Sequence, residues 1–192
     1  MHYKGIILKT LIKNITNIQT GLFAKPTGKG EVVYLQSKHF DEYGNLTALL
    51  YSDLNADQIS EKHLLIAGDV LFAAKGTKNF AAVYEGNNPP AVASTSFFVI
   101  RLTDEHVIPE FLAWFLNHPQ TQSLLKGKAR GTSIPSITKS VLENLELAIP
   151  TYEKQKLIVR LSKMILKEAE LRERILMQRK QLIEQQIINA IK

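Results

Sequence analysis

A basic segment between Thr121 and Ser140 is the part of the sequence whose composition most directly suggests chemistry. It carries four cations and no acidic residue: Lys126, Lys128, Arg130 and Lys139. Clustered lysine and arginine side chains can bind phosphate groups or another polyanion, although a solvated surface loop has the same composition. The net charge of +6 and the isoelectric point near 9.4 permit a polyanionic partner without requiring one.

The residues that most often carry catalysis, metal binding or cofactor binding are missing or badly spaced. The chain has no cysteine, and its five histidines show no H-x-x-x-H spacing: His2, His39, His63, His106 and His118. Gly28-Lys29-Gly30 is not a phosphate-binding P-loop, because Phe23 stands where the first glycine is needed. No serine has the G-x-S-x-G setting of a hydrolase nucleophile. We therefore expect a binding protein with no catalytic residues, no metal site and no cofactor.

The hydropathy pattern gives no sign of a membrane protein. No apolar run reaches the roughly 18 residues that cross a bilayer, and no signal-like apolar stretch follows the first residues. We expect a cytoplasmic chain without a membrane partner.

Residues 1–150 predict one α+β domain, rich in short β-strands with a few helices. They contain all 10 glycines and all 7 prolines of the chain. Turn-forming residues bound several short apolar runs, which is typical of strands joined by tight turns. A helix is predicted from Pro109 to about Asn117, since proline suits a first helical turn and Pro119 blocks continuation. The predicted strands cover residues 31–35, 69–74, 81–84 and 96–102.

From Thr151 to Lys192 the sequence predicts one long helix with an apolar stripe. Thr151 is a plausible N-cap, and a 4-3 alternation with two polar positions, Glu168 and Gln178, runs along the segment. About 40 helical residues make a rod of roughly 60 Å, too long for a small domain to cover, so part of the stripe needs another helix. The alternative is a terminal helix folded back on its own domain. The apolar stripe consists of Leu157, Leu161, Met164, Leu171, Ile175 and Leu182.

Charge separates the same two regions. Residues 1–150 hold 14 Lys/Arg against 13 Asp/Glu, a net charge of +1. Residues 151–192 hold 10 against 5, a net charge of +5. Most of the basicity therefore belongs to the predicted helix, and any polyanion-binding surface on the domain has to be local.

Four segments, in order and spacing, resemble the specificity subunits of Type I restriction–modification systems. They are residues 30–44, residues 65–76 (Leu65-Ile66-Ala67-Gly68-Asp69-Val70 and onward), Pro109–Asn117, and residues 131–137 followed by 145–155. The resemblance spans about residues 10–192. It implies a target-recognition domain over residues 1–150 and a spacer helix over residues 151–192 that pairs as an antiparallel coiled coil.

Two departures from the family pattern are visible. Family members usually carry two recognition domains and two helices in a chain about twice as long, whereas this sequence shows one of each. The usual Pro-Pro-Leu-x-Glu-Gln junction keeps only its first proline, Pro150, and its glutamine, Gln155. The sequence therefore resembles a half-length specificity subunit.

The resemblance implies a non-catalytic reader of double-stranded DNA, whose cations meet phosphates and whose polar side chains meet base edges. Two loops, 75–79 and 126–133, have that mixture, although an ordinary surface loop remains the alternative for each residue. Lys25, Lys29, Lys38 and His39 are weaker candidates. The candidate DNA-binding residues are Lys29, Lys38, Lys75, Gly76, Thr77, Lys78, Asn79, Lys126, Lys128, Arg130, Thr132 and Ser133.

The implied partners are DNA, a second copy of the chain or a different half-subunit, and the methyltransferase and restriction subunits. With a homodimer, the target is expected to be bipartite. Two alternatives remain open at this point: an assembly-only remnant that binds partner subunits through its helix without reading DNA, and a freestanding enzyme.

Overall fold

The computed structural model describes residues 8–41, 43–76, 79–87, 89–129 and 136–191. Nine strands and four α-helices lie in these ranges. The strands are β1 (Leu8–Leu11), β2 (Thr16–Thr20), β3 (Val32–Leu35), β4 (Ser52–Leu54), β5 (Val70–Ala73), β6 (Ala81–Val83), β7 (Ala91–Ala93), β8 (Phe97–Leu102) and β9 (Glu146–Ile149). The helices are α1 (Pro109–Asn117), α2 (Pro119–Gly127), α3 (Lys139–Glu143) and α4 (Tyr152–Ile191). The four predicted strands are confirmed as β3, β5, β6 and β8, and the α+β class is confirmed.

The strands form three sheets. The largest has the order β2-β8-β5-β6 and is antiparallel throughout. A second sheet, β4-β3-β7, pairs β3 with β7 in parallel, and β1 pairs with β9 in antiparallel register. The pairing of β1 with β9 brings the two ends of the domain together, directly before α4 begins.

The four-stranded sheet is buried on both faces. Because side chains alternate along a strand, Val70 and Phe72 of β5 enter the core beneath α1, whereas Leu71 and Ala73 enter the core shared with β3 and β7. On α1, Leu112 is completely buried in the first of these cores. The domain is therefore layered as helix, sheet and sheet.

Helix α1 has the predicted bounds, but Pro119 does not start a loop. It is the first residue of α2, a position where the fixed φ of proline is favourable. The prediction that Lys126 and Gly127 lie in a loop was wrong, since they are the last two residues of α2. Thr121 and Leu125, one turn apart, are buried and hold this helix against the core.

Helix α4 extends from Tyr152 to Ile191, so the prediction of one long C-terminal helix is confirmed. Its first turns contact the domain through the buried Gln155 and the half-buried Ile158 and Val159. From Lys163 to Ile191 every residue is exposed. The alternative of a helix folded back on its own domain was therefore wrong. None of the described helices is long and apolar enough to cross a membrane.

Candidate functional site

The first loop predicted to contact DNA begins beside the segment that follows the second predicted loop. Lys75 and Ser136 form an antiparallel β-bridge, although 61 residues separate them in sequence. Beside this bridge the backbone N–H of Ile137 donates to the carbonyl of Ala74 at 2.9 Å. Ile137 is itself buried, so the two segments are fixed to one another at the edge of the core.

The first of these loops is a tight turn that follows β5. Gly76 has a φ of +113°, a conformation that side-chain-bearing residues rarely adopt. The side-chain Nδ2 of the half-buried Asn79 donates to the carbonyl of Ala73 at 2.8 Å, so this amide group closes the turn. Lys75 is exposed at the start of the loop. Thr77 and Lys78 lie outside the described residues.

The second loop begins at the C-terminal end of α2. Lys126 and Lys128 are both exposed, and the N–H of Lys128 donates to the carbonyl of the buried Leu125 at 3.0 Å. Cations in this position also interact favourably with the negative end of the helix dipole. Lys126 and Lys128 therefore stabilise the C-terminal end of α2 and are also candidate phosphate-binding residues. Arg130, Thr132 and Ser133 lie outside the described residues.

Asn79 and Lys126 border one open groove of about 1190 Å³. Its floor includes β6, and Trp114 of α1 and Lys163 of α4 contribute to its walls. Glu85 and Glu110 also line it, so its charge is mixed rather than uniformly positive. The groove joins the two candidate loops to the first half of the long helix.

The weaker candidates lie in other loops. Lys25 and Lys29 are exposed beside a turn in which the hydroxyl of Thr27 donates to the carbonyl of Lys29 at 2.7 Å. Lys38 is exposed in a one-turn helix, Ser37–His39.

The Lys38 segment nevertheless lies near the groove. Phe40 lines the groove and packs on Phe80 and Phe97, with ring centroids 5.7 Å apart in each pair. The Nδ1 of His39 accepts a hydrogen bond from the backbone N–H of Gln36 at 3.3 Å. Burial, and secondarily the charge of Lys38, lowers the pKa of His39. The imidazole is therefore neutral near pH 7 and adds no positive charge.

The apolar stripe of α4 faces away from the domain contact. Its six predicted residues are between 44% and 58% exposed: Leu157, Leu161, Met164, Leu171, Ile175 and Leu182. Gln155, Ile158 and Val159 make the contact with the domain instead. The stripe is therefore exposed along its whole length and can pack against another helix.

Sequence reasoning missed a run of cations on another side of α4. Lys156, Arg160, Lys163 and Lys167 line one cleft of about 570 Å³, with Glu110 and Ile108 opposite them. Their spacing of four, three and four residues places them on one helix face, and that spacing is visible in the sequence. The sequence prediction used only the net charge of residues 151–192.

Asp69, which belongs to the second segment of the family resemblance, forms an ion pair inside the domain. Asp69 is buried, and Arg101 binds its carboxylate with two hydrogen bonds, Nε to Oδ1 at 2.8 Å and Nη2 to Oδ2 at 2.7 Å. This ion pair raises the pKa of Arg101. Within the described ranges, no group of three or more His, Asp or Glu side chains is placed to hold a metal ion.

Solved structures with this fold include the HsdS subunit from Thermoanaerobacter tengcongensis. It matches 88% of this chain and 44% of its own, with a TM-score of 0.65 and 23% identity. The S subunit of a Type I restriction–modification system from M. genitalium matches 88% of this chain and 41% of its own, with a TM-score of 0.55 and 15% identity. Both likenesses concern the fold.

Curated relatives are found in Methanocaldococcus jannaschii. The putative type I restriction enzyme MjaX specificity subunit is 27% identical over 122 residues, covering 61% of this chain and 28% of the relative. The type I restriction enzyme MjaVIII specificity subunit is 26% identical over 105 residues, covering 54% and 24%. The matched regions therefore span less than a third of these relatives.

The family model described as "Type I restriction modification DNA specificity domain" matches residues 9–185, which include both the domain and most of α4. The chain therefore belongs to this family.

Proposed function

We propose that this chain is a DNA-reading specificity subunit that directs methyltransferase and restriction subunits to a target sequence and performs no catalysis itself. The observation that carries the proposal is the family match, which continues from residue 9 through the domain and along the long helix to residue 185. We place the boundary between the recognition domain, residues 1–150, and the helical segment, residues 151–192, at Pro150. Acting on cellular DNA would place the protein in the cytoplasm, with no membrane partner.

For DNA contact we propose the surface around the Lys75–Ser136 bridge. Lys75, Lys126 and Lys128 are exposed and can approach phosphates, and Lys126 lines the same groove as Asn79 of the first loop. Thr77, Lys78, Arg130, Thr132 and Ser133, which lie outside the described residues, are proposed as DNA-binding residues from the sequence. Lys29 and Lys38 are candidates for more distant phosphate contacts.

We propose further that two copies pair through α4. Six exposed apolar side chains on one stripe, each contributing about 1.5–3 kcal/mol when buried, are too much apolar surface to leave in water. An antiparallel pair closes under two-fold symmetry and puts the domains at opposite ends of a rod of roughly 60 Å. With one turn of DNA every ~34 Å, the target would be a gapped palindrome. A different half-subunit in the second position would give two unrelated half-sites instead.

The methyltransferase and restriction subunits are the proposed protein partners. A second row of exposed apolar side chains, including Ile165, Leu176 and Ile183, runs along α4 beside the stripe. A helix pair that buries only the stripe leaves this row uncovered, which supports docking of a further protein.

Methylation sequencing of cells with and without the gene tests the DNA-reading function. We expect one bipartite motif to lose its methylation when the gene is removed. The purified chain with its methyltransferase partner should then give a footprint on a duplex that carries this motif. Partner binding without a sequence-specific footprint would contradict DNA reading and favour an assembly-only remnant. Methyl transfer by the isolated chain would contradict the non-catalytic assignment.

A further inference from the structure

The two sides of the apolar stripe on α4 differ in chemistry. Positions on one side of the 4-3 alternation carry mostly small or apolar residues, with two arginines and Gln186 among them; we call this side, with Ile158, Ile165, Ala169, Leu176 and Ile183, the apolar flank. Positions on the other side form what we call the basic flank. It contains five exposed cations: Lys156, Arg160, Lys163, Lys167 and Arg174.

The cations of the basic flank lie on one face of the helix, with Glu170 at the position between Lys167 and Arg174. Its cations follow one another at intervals of four, three, four and seven residues, so they extend over roughly 27 Å of helix. Four of them, Lys156, Arg160, Lys163 and Lys167, line one cleft beside α1. Lys163 also borders the groove that contains Asn79 and Lys126. The basic flank therefore adjoins the candidate DNA-binding surface of the domain.

Most of this charge is not neutralised within the chain. Lys167 pairs with Glu170 at 2.8 Å, and Lys156 lies 3.7 Å from Glu153. In the described part of the chain no carboxylate lies within ion-pair distance of Arg160, Lys163 or Arg174. Exposed pairs such as these contribute little energy and exchange readily for a stronger anion.

Two-fold symmetry decides how two basic flanks combine. The symmetry axis of an antiparallel helix pair is perpendicular to the plane that contains both helices, so a side chain facing along this axis on one helix faces the same way on the other. Both basic flanks then lie on one side of the pair, and both apolar flanks lie on the opposite side. Five cations from each copy would repel one another there unless a polyanion lies over them.

We propose that this doubled basic flank binds the phosphates of the unread DNA spacer between the two half-sites. The inference rests on the proposed function, because it needs both the antiparallel pair and a bipartite target. DNA running from one domain to the other has to pass along the rod, and its phosphates are spaced closely enough to meet every cation of the flank. The contact adds affinity without reading sequence.

A charge-matched pair of variants tests the inference. Arg160→Gln/Arg174→Gln removes two cations from the basic flank, and the control Arg172→Gln/Arg179→Gln removes two arginines from the other side of the stripe on the same helix. One probe is a duplex carrying the motif that methylation sequencing identifies. A second probe has uncharged methylphosphonate linkages across the spacer only. Light scattering establishes that each variant has the same oligomeric state as the wild type.

In the dimer, Arg160→Gln/Arg174→Gln should lose about four phosphate contacts, so the slope of log K against log salt should flatten by about 3 to 4. Affinity for the first probe should fall at least about tenfold at low salt, and the control should remain within about threefold of the wild type. The uncharged spacer should weaken binding by the wild type and the control, but should weaken binding by the basic-flank variant much less.

Equal losses in the two variants, or a wild type indifferent to the uncharged spacer, would overturn the inference while leaving the proposed function intact. Loss of methyltransferase binding with an unchanged salt slope would assign the basic flank to a protein partner and overturn it as well. A wild type that makes no sequence-specific complex would contradict the proposed function itself, and the inference with it.

Discussion

The side-chain Oε1 of Gln155 accepts a hydrogen bond from the backbone N–H of Ile108 at 2.9 Å, which ties the long helix to the residue before α1. The Nε2 of the same side chain donates to the carbonyls of His106 at 2.8 Å and Pro150 at 3.0 Å. Gln155 is completely buried. The start of α4 is therefore fixed to the domain by one amide side chain, and the direction in which the helix leaves the domain depends on it.

Replacing Gln155 with leucine should destabilise the chain. The substitution leaves a buried N–H and two carbonyls without this partner, at a cost of about 2–4 kcal/mol in the free energy of unfolding. Denaturant unfolding followed by circular dichroism measures the change. Gln181→Leu, on the exposed part of the same helix and away from the stripe, is the control and should shift the free energy by less than about 0.5 kcal/mol. Similar results for the two variants would contradict the anchoring role of Gln155.

The ion pair between Arg101 and Asp69 gives a second stability prediction. Arg101→Met leaves a buried carboxylate without its cation, and the free energy of unfolding should fall by about 2–4 kcal/mol. Lys9→Met is the matched control, because Lys9 makes only an exposed pair with Glu146 at 3.3 Å. Its effect should be below about 0.5 kcal/mol. An Arg101 variant as stable as the Lys9 variant would show that the carboxylate of Asp69 is satisfied by other groups.

The sequence was sufficient for elements whose pattern is local. The apolar runs at β3, β5 and β8 identify strands directly, and the lack of Gly and Pro after residue 150 identifies α4. Strand β2 was missed because only alternate residues are buried: Ile18 faces the core while Asn17 is exposed. Such a short, mostly polar edge strand has no hydropathy pattern of its own.

The candidate site depends on contacts that no local pattern reveals. Lys75 and Ser136 are brought together by a bridge between segments that are distant in sequence. Residue composition could nominate the two loops, but it could not show that the first of them pairs with the segment that follows the second. It also could not show that Asn79 closes its own turn.

The pKa of His39 should lie below its ordinary value of 6.5, because burial and then Lys38 disfavour the charged imidazole. The folded chain therefore prefers the neutral form. This stability is present above pH 6.5 and is lost as the pH falls through the folded pKa. An NMR titration of the histidines measures the value, and Lys38→Ala should raise it partway. A value at or above 6.5 would contradict the prediction.

The salt dependence of DNA binding should reveal the phosphate contacts of the domain. Replacing Lys126, Lys128 and Arg130 together with alanine should flatten the slope of log K against log salt by roughly 2–3 units. Lys9→Ala/Lys13→Ala, which removes exposed cations near the β1–β9 pair, is the control and should leave the slope unchanged. An unchanged slope in the triple variant would move the DNA-binding surface elsewhere on the domain.

Pairing through α4 should be abolished by charges on its apolar stripe. Leu161→Asp/Leu171→Asp/Ile175→Asp places three carboxylates where the helices would meet, and burying unpaired charges there costs far more than the pairing returns. Light scattering should show a dimer for the wild type and a monomer for this variant. Met177→Asp/Gln181→Asp, which adds carboxylates to the same helix away from the stripe, is the control and should remain dimeric. A wild type that stays monomeric at high concentration, or a stripe variant that still dimerises, would contradict the homodimer. A wild type that dimerises only with a second, different half-subunit would instead give a methylation motif with two unrelated halves.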